Sequence, residues 1–327
     1  MDEPVSDIFS ISSGEEFEAA ALEIFRYQAG HNPVYSSWLG ELGVKRQQVS
    51  RLTEIPFLPV SAFRNHKVLV SVRDAAMVFA SSGTTDEGRS IHYIAEPSVY
   101  EKSFTGCFRR FYGEVSDYVI LALLPSYLEQ GRSSLVYMVE KLISMSGSGV
   151  SGFFLHDHGS LKKRIEILKE SGKKFILLGV SYALLDFSEA FDISLKGNIV
   201  METGGMKGRR REMTRDELHS ILKERFDIDE VHSEYGMTEM LSQAYSKKDG
   251  IYYSPPWMKV VIRDPLDPFA FLPHGRTGGV NIIDLANIYS CSFLETSDLG
   301  LLTEGGGFSI SGRFDNSDVR GCNLLAL

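Results

Sequence analysis

The chain has 327 residues, 43% of them hydrophobic and 24% charged, which is the profile of a globular protein with a sizeable core. Lys and Arg number 34 and Asp and Glu 43, a net charge of −9, which argues against a nucleic-acid backbone as partner, because phosphate neutralisation needs clustered cations. No run of about 18 apolar residues spans a membrane, the acidic start MDEPVSDIF does not read as a signal peptide, and three scattered cysteines without a CxxC fit a reducing cytoplasm.

Taken in chain order, Ser12-Ser13 followed by Glu15-Glu16 marks a helix start, and EEFEAAALEIFRYQA continues it at helical spacing. NPVYSSWLGELG predicts a second helix. EIPFLPVSAFRNHKVL carries Pro56 and Pro59 and is expected to be extended or looped. From there strand and helix alternate. DYVILALLP, GFFLHD, KFILLGV and GNIVMETGG predict strands. SSLVYMVEKLISM, SLKKRIEILKES, SYALLDFSEAF and TRDELHSILKERF predict helices, the last opened by the Thr214/Glu217 capping pair. Such alternation implies βαβ units and a mostly parallel sheet covered by helices, hence an α/β class. DIDEVHS predicts a further short strand, and from Tyr252 on short runs split by Pro and Gly predict a β-rich C-terminal part. Cys107 in SFTGCFRRF is expected in the core face of a helix and Cys291 inside a strand.

Four segments carry candidate chemistry. Ser81-Ser82-Gly83-Thr84-Thr85 is either a solvated turn or a cradle in which hydroxyls and close backbone amides wrap phosphates; it lacks the lysine of a Walker A loop. In Glu234-Tyr235-Gly236-Met237-Thr238-Glu239 the Tyr can stack on a base, the Thr can bond a phosphate and a carboxylate can hold Mg²⁺. Asp298, in Thr296-Ser297-Asp298-Leu299-Gly300, suits ribose hydroxyls, or is an ordinary turn residue. Arg313, in Gly312-Arg313-Phe314-Asp315-Asn316, can reach a ribose or phosphate. His156-x-His158 has the spacing of one strand face but no further ligands nearby in sequence, and Trp257 reads as core.

These four segments stand in the order found in AMP-forming adenylating enzymes. With IPFLPVSAFR ahead of the hydroxyl loop, Arg89-Ser90-x-His92 after it and LLPSYLE further on, the chain resembles the acyl-protein synthetase family, the LuxE type, related to the phenylacetate-CoA ligases. The resemblance covers Glu54 to the C-terminus. It implies one adenylating domain over residues 1–327, with a helical N-terminal part (1–75), a nucleotide-binding core (76–312) and a mobile tail (313–327). It implies that Ser81, Ser82, Gly83, Thr84 and Thr85 hold the β- and γ-phosphates of ATP, and that Gly204 and Gly205 lie along the adenine. Tyr235 would stack on the ring, Thr238 contact the α-phosphate, Glu239 ligate Mg²⁺, and Asp298 and Arg313 bind the ribose side.

The implied reaction is ATP-dependent activation of a carboxylic acid, expected to be a fatty acid, to an acyl-adenylate with AMP as eventual product. The acyl group then passes to a thiol. In the family that thiol is a C-terminal cysteine that serves a reductase partner, and Cys322, beside Arg320, is the candidate here; the alternative is a cysteine of no consequence. Coenzyme A or a carrier-protein thiol is the alternative acceptor, and an acyltransferase working without ATP or an inactive acyl- or nucleotide-binding subunit is the alternative function. The inactive reading is motivated by two departures: the sequence stops within fifteen residues of Arg313, short of the family's mobile C-terminal domain and its lysine, and Asp86 stands where a Gly usually follows Thr-Thr. Lys207, Arg209, Arg210 and Arg211 either supply charge to phosphates or form a solvated loop. His92 either contacts substrate or phosphate or is a structural histidine, and Tyr127 either lines the acyl pocket or packs.

Overall fold

A computed structural model describes residues 7–81, 88–125, 131–204, 211 and 213–314. In chain order its regular elements begin with α1 (Gly14–His31), α2 (Pro33–Glu41), β1 (Leu58–Pro59) and α3 (Ala62–Asn65). There follow β2 (Met77–Ala80), β3 (Ile91–Ile94), α4 (Pro97–Tyr112), β4 (Val119–Leu123), α5 (Ser134–Met145), β5 (Gly152–Phe153) and α6 (His158–Ser171). The chain continues through β6 (Phe175–Val180), α7 (Ser181–Ala190), β7 (Ile199–Thr203), α8 (Arg215–Phe226), β8 (His232–Tyr235) and β9 (Ala244–Ser246). It ends in β10 (Met258–Arg263), β11 (Gly278–Asp284), β12 (Phe293–Leu302) and β13 (Phe308–Arg313).

Helix starts follow local chemistry. Ser13 Oγ accepts from the Glu16 amide at 3.1 Å, and the Glu16 carboxylate accepts in return from the amides of Ser12 and Ser13. Asn32 caps α2 ahead of Pro33, Ser133 caps α5, and Thr214 accepts from the Glu217 amide at 3.2 Å to start α8. The helix expected from Ser160 begins earlier, at His158, because Asp157 is the residue that caps it. The strand expected over GFFLHD shrinks to Gly152–Phe153, which leaves His156 in a turn and His158 in α6 rather than together on a strand face. The Pro-bearing segment is extended as expected except for the single turn of α3.

The chain forms two compact units, residues 1–73 with 256–327 and residues 74–255. The first holds α1, α2 and a five-stranded sheet in the order β1-β12-β11-β10, with β13 also paired to β12. Its β-rich part is antiparallel apart from β1, which runs parallel to β12 with Leu58 opposite Leu294. Trp257 is buried there, and so is Cys291, which lies just before β12 rather than inside a strand. Phe25, Tyr35 and Phe293 pack ring against ring in this core.

The second unit carries a six-stranded sheet in the order β5-β4-β6-β7-β8-β9, parallel except for the last pair. Every residue of β4 and β6 is buried, as a parallel sheet covered on both faces requires. Beside it β2 and β3 form a two-stranded hairpin, with Phe79 opposite His92. Cys107 is buried in α4 as expected. Among the described residues no helix is long and apolar enough to cross a membrane.

Candidate nucleotide site

The expected site residues fall into both units. Ser81, His92, Gly204, Tyr235, Thr238 and Glu239 belong to the second, Asp298 and Arg313 to the first. Ser82, Gly83, Thr84, Thr85, Gly205 and Cys322 lie outside the described residues, as do Tyr127, Asp86, Lys207, Arg209 and Arg210.

In the second unit, β2 and β3 frame the hydroxyl-rich segment. The Ser81 amide donates to the Ser90 carbonyl at 3.0 Å, and the Ser90 amide donates to Ser81 Oγ at 3.0 Å. These two bonds close the base of the loop, and Gly88 with φ of +84° turns the chain back into β3. Two residues into the return, His92 is fully buried and its ring Nδ1 donates to the Thr238 carbonyl at 2.8 Å. Burial pushes the imidazole down to about 4 against the smaller raising effect of that bond, so the ring is neutral and its Nδ1 carries the proton. The histidine thus fastens the base of the hydroxyl loop to the Tyr-Gly-Met-Thr-Glu segment, 146 residues away.

That segment lies at the carboxyl end of β8, beside the carboxyl end of β7, where parallel sheets place their ligands. β7 runs into Gly204, whose φ of +65° is the left-handed region a glycine adopts freely. Ser181 Oγ, at the start of α7, donates to the Gly204 carbonyl at 2.9 Å and holds the turn. On the neighbouring strand Tyr235 is half-buried, with its ring 5.7 Å from that of Tyr252. Gly236 is exposed, Thr238 half-buried and Glu239 buried.

Two glutamates occupy adjacent registers of these strands. Glu234 pairs in register with Thr203, whose Oγ1 donates to its Oε2 at 2.5 Å, and burial pushes its carboxyl up to about 7. Glu202 pairs in register with Ser233 and so faces the other side of the sheet, where Arg215 and His219 reach it at 3.6 and 3.7 Å. Motif reading assigned neither carboxyl a role. Its signal was there nonetheless: an acid within a strand otherwise as apolar as NIVMET is costly to bury without a purpose.

In the first unit Asp298 is buried on β12, directly opposite Arg313 of β13. Arg313 Nε donates to Asp298 Oδ1 at 3.0 Å from a side chain that is 78% exposed. Thr296 Oγ1 accepts from the Asp298 amide at 3.0 Å and donates to the Val280 carbonyl at 2.7 Å, which fixes the backbone at the aspartate. Beneath them lies Arg263, a buried cation that sequence reading passed over. Its Nη1 donates to the Val280 carbonyl and to Asn281 Oδ1, its Nη2 donates to the Thr296 carbonyl, and the Phe314 ring stacks on it at 5.3 Å.

No family model matches the chain. A long-chain-fatty-acid–luciferin-component ligase of Vibrio harveyi is 24% identical over 92% of this chain and 84% of its own length. Among solved structures, 2-hydroxyisobutyryl-CoA ligase in complex with 2-HIB-AMP and CoA superposes with a TM-score of 0.68 at 15% identity, covering 97% of this chain and 74% of that one. ATP-bound MatB from Rhodopseudomonas palustris superposes with a TM-score of 0.56 at 19% identity over 74% of this chain, which spans only 48% of that protein. The structural likenesses bear out the expected α/β fold of adenylate-forming type, and the similarity to the luciferin-component ligase bears out the expected resemblance to the acyl-protein synthetases.

Proposed function

We propose that this protein is an enzyme that activates a carboxylic acid with ATP as an acyl-adenylate and passes the acyl group to a thiol. The observation that carries the reading is the His92–Thr238 bond, which joins the base of the hydroxyl loop to the segment that would meet the α-phosphate. The fatty acid as substrate class is taken from the luciferin-component ligase it resembles.

In this reading Ser81 to Thr85 cradle the outer phosphates, Gly204 and Gly205 lie along the adenine, Tyr235 stacks on it, and Thr238 bonds the α-phosphate. For the first unit, the resemblance implies a ribose-binding role for Asp298 and Arg313. Among the described residues no cluster of three or more His, Cys, Asp or Glu side chains could hold a metal, but Mg²⁺ commonly uses one or two carboxylates plus substrate phosphates, so the buried Glu239 carboxylate suits it. When bound, Mg²⁺ would offset the repulsion between the two anions that must meet. A carboxylate oxygen of the acid attacks the α-phosphorus, and the bond to pyrophosphate breaks. A thiolate then attacks the acyl carbon, and AMP leaves. His92, buried and with its one N–H committed to a carbonyl, acts by holding Thr238 rather than by touching substrate.

The test is ATP–pyrophosphate exchange over carboxylic acids of increasing chain length, followed by intact-mass measurement. Exchange above background with at least one acid is expected. An acyl mass on the protein that disappears in Cys322→Ser identifies the internal thiol, and acyl-CoA without protein label identifies coenzyme A. No exchange with any acid refutes the reading.

A further inference from the structure

Thr203 and Glu234 stand opposite each other near the carboxyl ends of adjacent strands, and each is followed at once by a turn that the reading above gives to the nucleotide. Thr203 donates to one carboxyl oxygen of Glu234 in a buried bond. The other oxygen, Oε1, lies 2.6 Å from where a Cβ on Gly236 would stand, so the turn after Tyr235 closes directly over it. Gln243 packs at the same corner, its Cγ 3.7 Å from that point, and its own Oε1 is buried without a hydrogen-bond donor. An ionised carboxylate only accepts, whereas an un-ionised one carries a single O–H. Thr203 already fills Oε2, which leaves Oε1 to carry that hydrogen, on the side of Gly236 and Gln243.

We propose that Glu234 is a positioning residue: its un-ionised carboxyl clasps the Gly204 turn to the Tyr235 turn, through Thr203 on one side and the Gly236–Gln243 corner on the other, and so sets the gap an adenine enters. The inference rests on the nucleotide reading above. Burial favours the un-ionised form, with Glu202 adding to the effect and the Thr203 bond opposing it. The groups that face the carboxyl do not compete for the role. Tyr112 of α4 and Tyr245 of β9 are phenols that burial holds above their ordinary value, and Cys107 lies among them, while Tyr252, raised likewise, meets Ser233 and Arg215 on the Glu202 face. His232, two residues back on β8, is held down to about 4, and Lys247 stands over the Tyr112 ring. Arg215 and His219 meet Glu202 on the other face of the sheet.

Glu234→Gln is the informative variant, because an amide keeps an oxygen for Thr203 and offers an N–H on the other side in place of the O–H. The probe is AMP, titrated calorimetrically between about pH 7 and about pH 9, where its phosphate charge is constant. Wild-type affinity is expected to fall by about tenfold or more across that range, as the clasp ionises. The Glu234→Gln protein is expected to bind with no such fall. Thr203→Val removes the bond that favours the ionised form, so its loss of affinity should begin at higher pH while its binding is weaker throughout. A flat wild-type profile, or the same slope in wild type and Glu234→Gln, overturns the proposal. If neither protein binds AMP, the nucleotide reading fails and hydrogen exchange decides the clasp. At about pH 9 amides around Gly204 and Tyr235–Glu239 should exchange faster in wild type than in Glu234→Gln, and equal exchange overturns it.

Discussion

Two buried groups of the second unit should make its stability respond to pH in opposite directions, and single substitutions should unmask each. His92 is fully buried and titrates near 4 in place of its ordinary value near 6.5. Below about pH 6.5 the unfolded chain takes up a proton that the folded chain refuses, so stability is lost as pH falls toward 4. Glu234, buried and titrating near 7 instead of near 4.5, does the reverse: the folded chain holds its proton over that interval and the unfolded chain does not. Its contribution is present below about pH 4.5 and is lost as pH rises through 7. Between pH 7 and pH 4.5 each gap amounts to about 2.5 kcal/mol, since one pKa unit is worth about 1.4 kcal/mol. The two therefore nearly cancel in the wild type. His232, also held down to about 4 by burial first, adds to the loss on the acid side.

Relative to the wild type, His92→Gln should consequently gain about 2 to 3 kcal/mol on going from pH 7 to pH 4.5, whatever the substitution costs at neutral pH, and Glu234→Gln should lose about as much, His232 contributing equally to all three proteins. Depressed carboxyls such as that of Asp157 begin to lose their contribution as pH falls toward their ordinary value, and they do so alike in the wild type and both variants. The assay is urea unfolding at a series of pH values. Both tryptophans, Trp38 and Trp257, belong to the first unit, so their fluorescence would follow the other half of the chain. Hydrogen exchange in peptides covering β6, β7 and β8 reads the second unit directly. Stability curves for the two variants that run parallel to the wild type would refute the reasoning.

Asp298→Asn should weaken ATP binding by about tenfold or more, through loss of a charged acceptor for ribose hydroxyls, as calorimetry would read. The same change should move stability by less than about 1 kcal/mol, because the partner Arg313 is largely solvent-exposed. Gly300→Ala should destabilise the first unit by about 2 kcal/mol or more, since the added Cβ would stand 2.2 Å from the Ser309 carbonyl oxygen across the β12–β13 pair. Tryptophan fluorescence follows that unit, and an unchanged melting temperature would count against the geometry.

What could be read along the chain, and what could not, divides by the distance over which each feature is decided. The α1 cap needs only Ser13 and Glu16, three residues apart, and β4 and β6 announce themselves as short apolar runs between turn residues. The alternation of short apolar strands with capped helices carried the α/β class for the same reason: each element is a local signal. The His92–Thr238 bond joins positions 146 apart, and Arg263 is satisfied by carbonyls of two other strands, one of them 33 residues on. Sequence shows such residues only as anomalies, a histidine or an arginine inside an apolar strand, without naming the partner that makes burial tolerable. The single turn of α3 was missed because four residues form a helix only when tertiary contacts hold them. Glu234 shows the limit most sharply. Its identity is plain in the motif, yet whether it carries a charge or a hydrogen depends on Thr203, Glu202 and the closing of Gly236 above it. Those neighbours come from a second strand and a turn, and only the folded chain brings them to one carboxyl group.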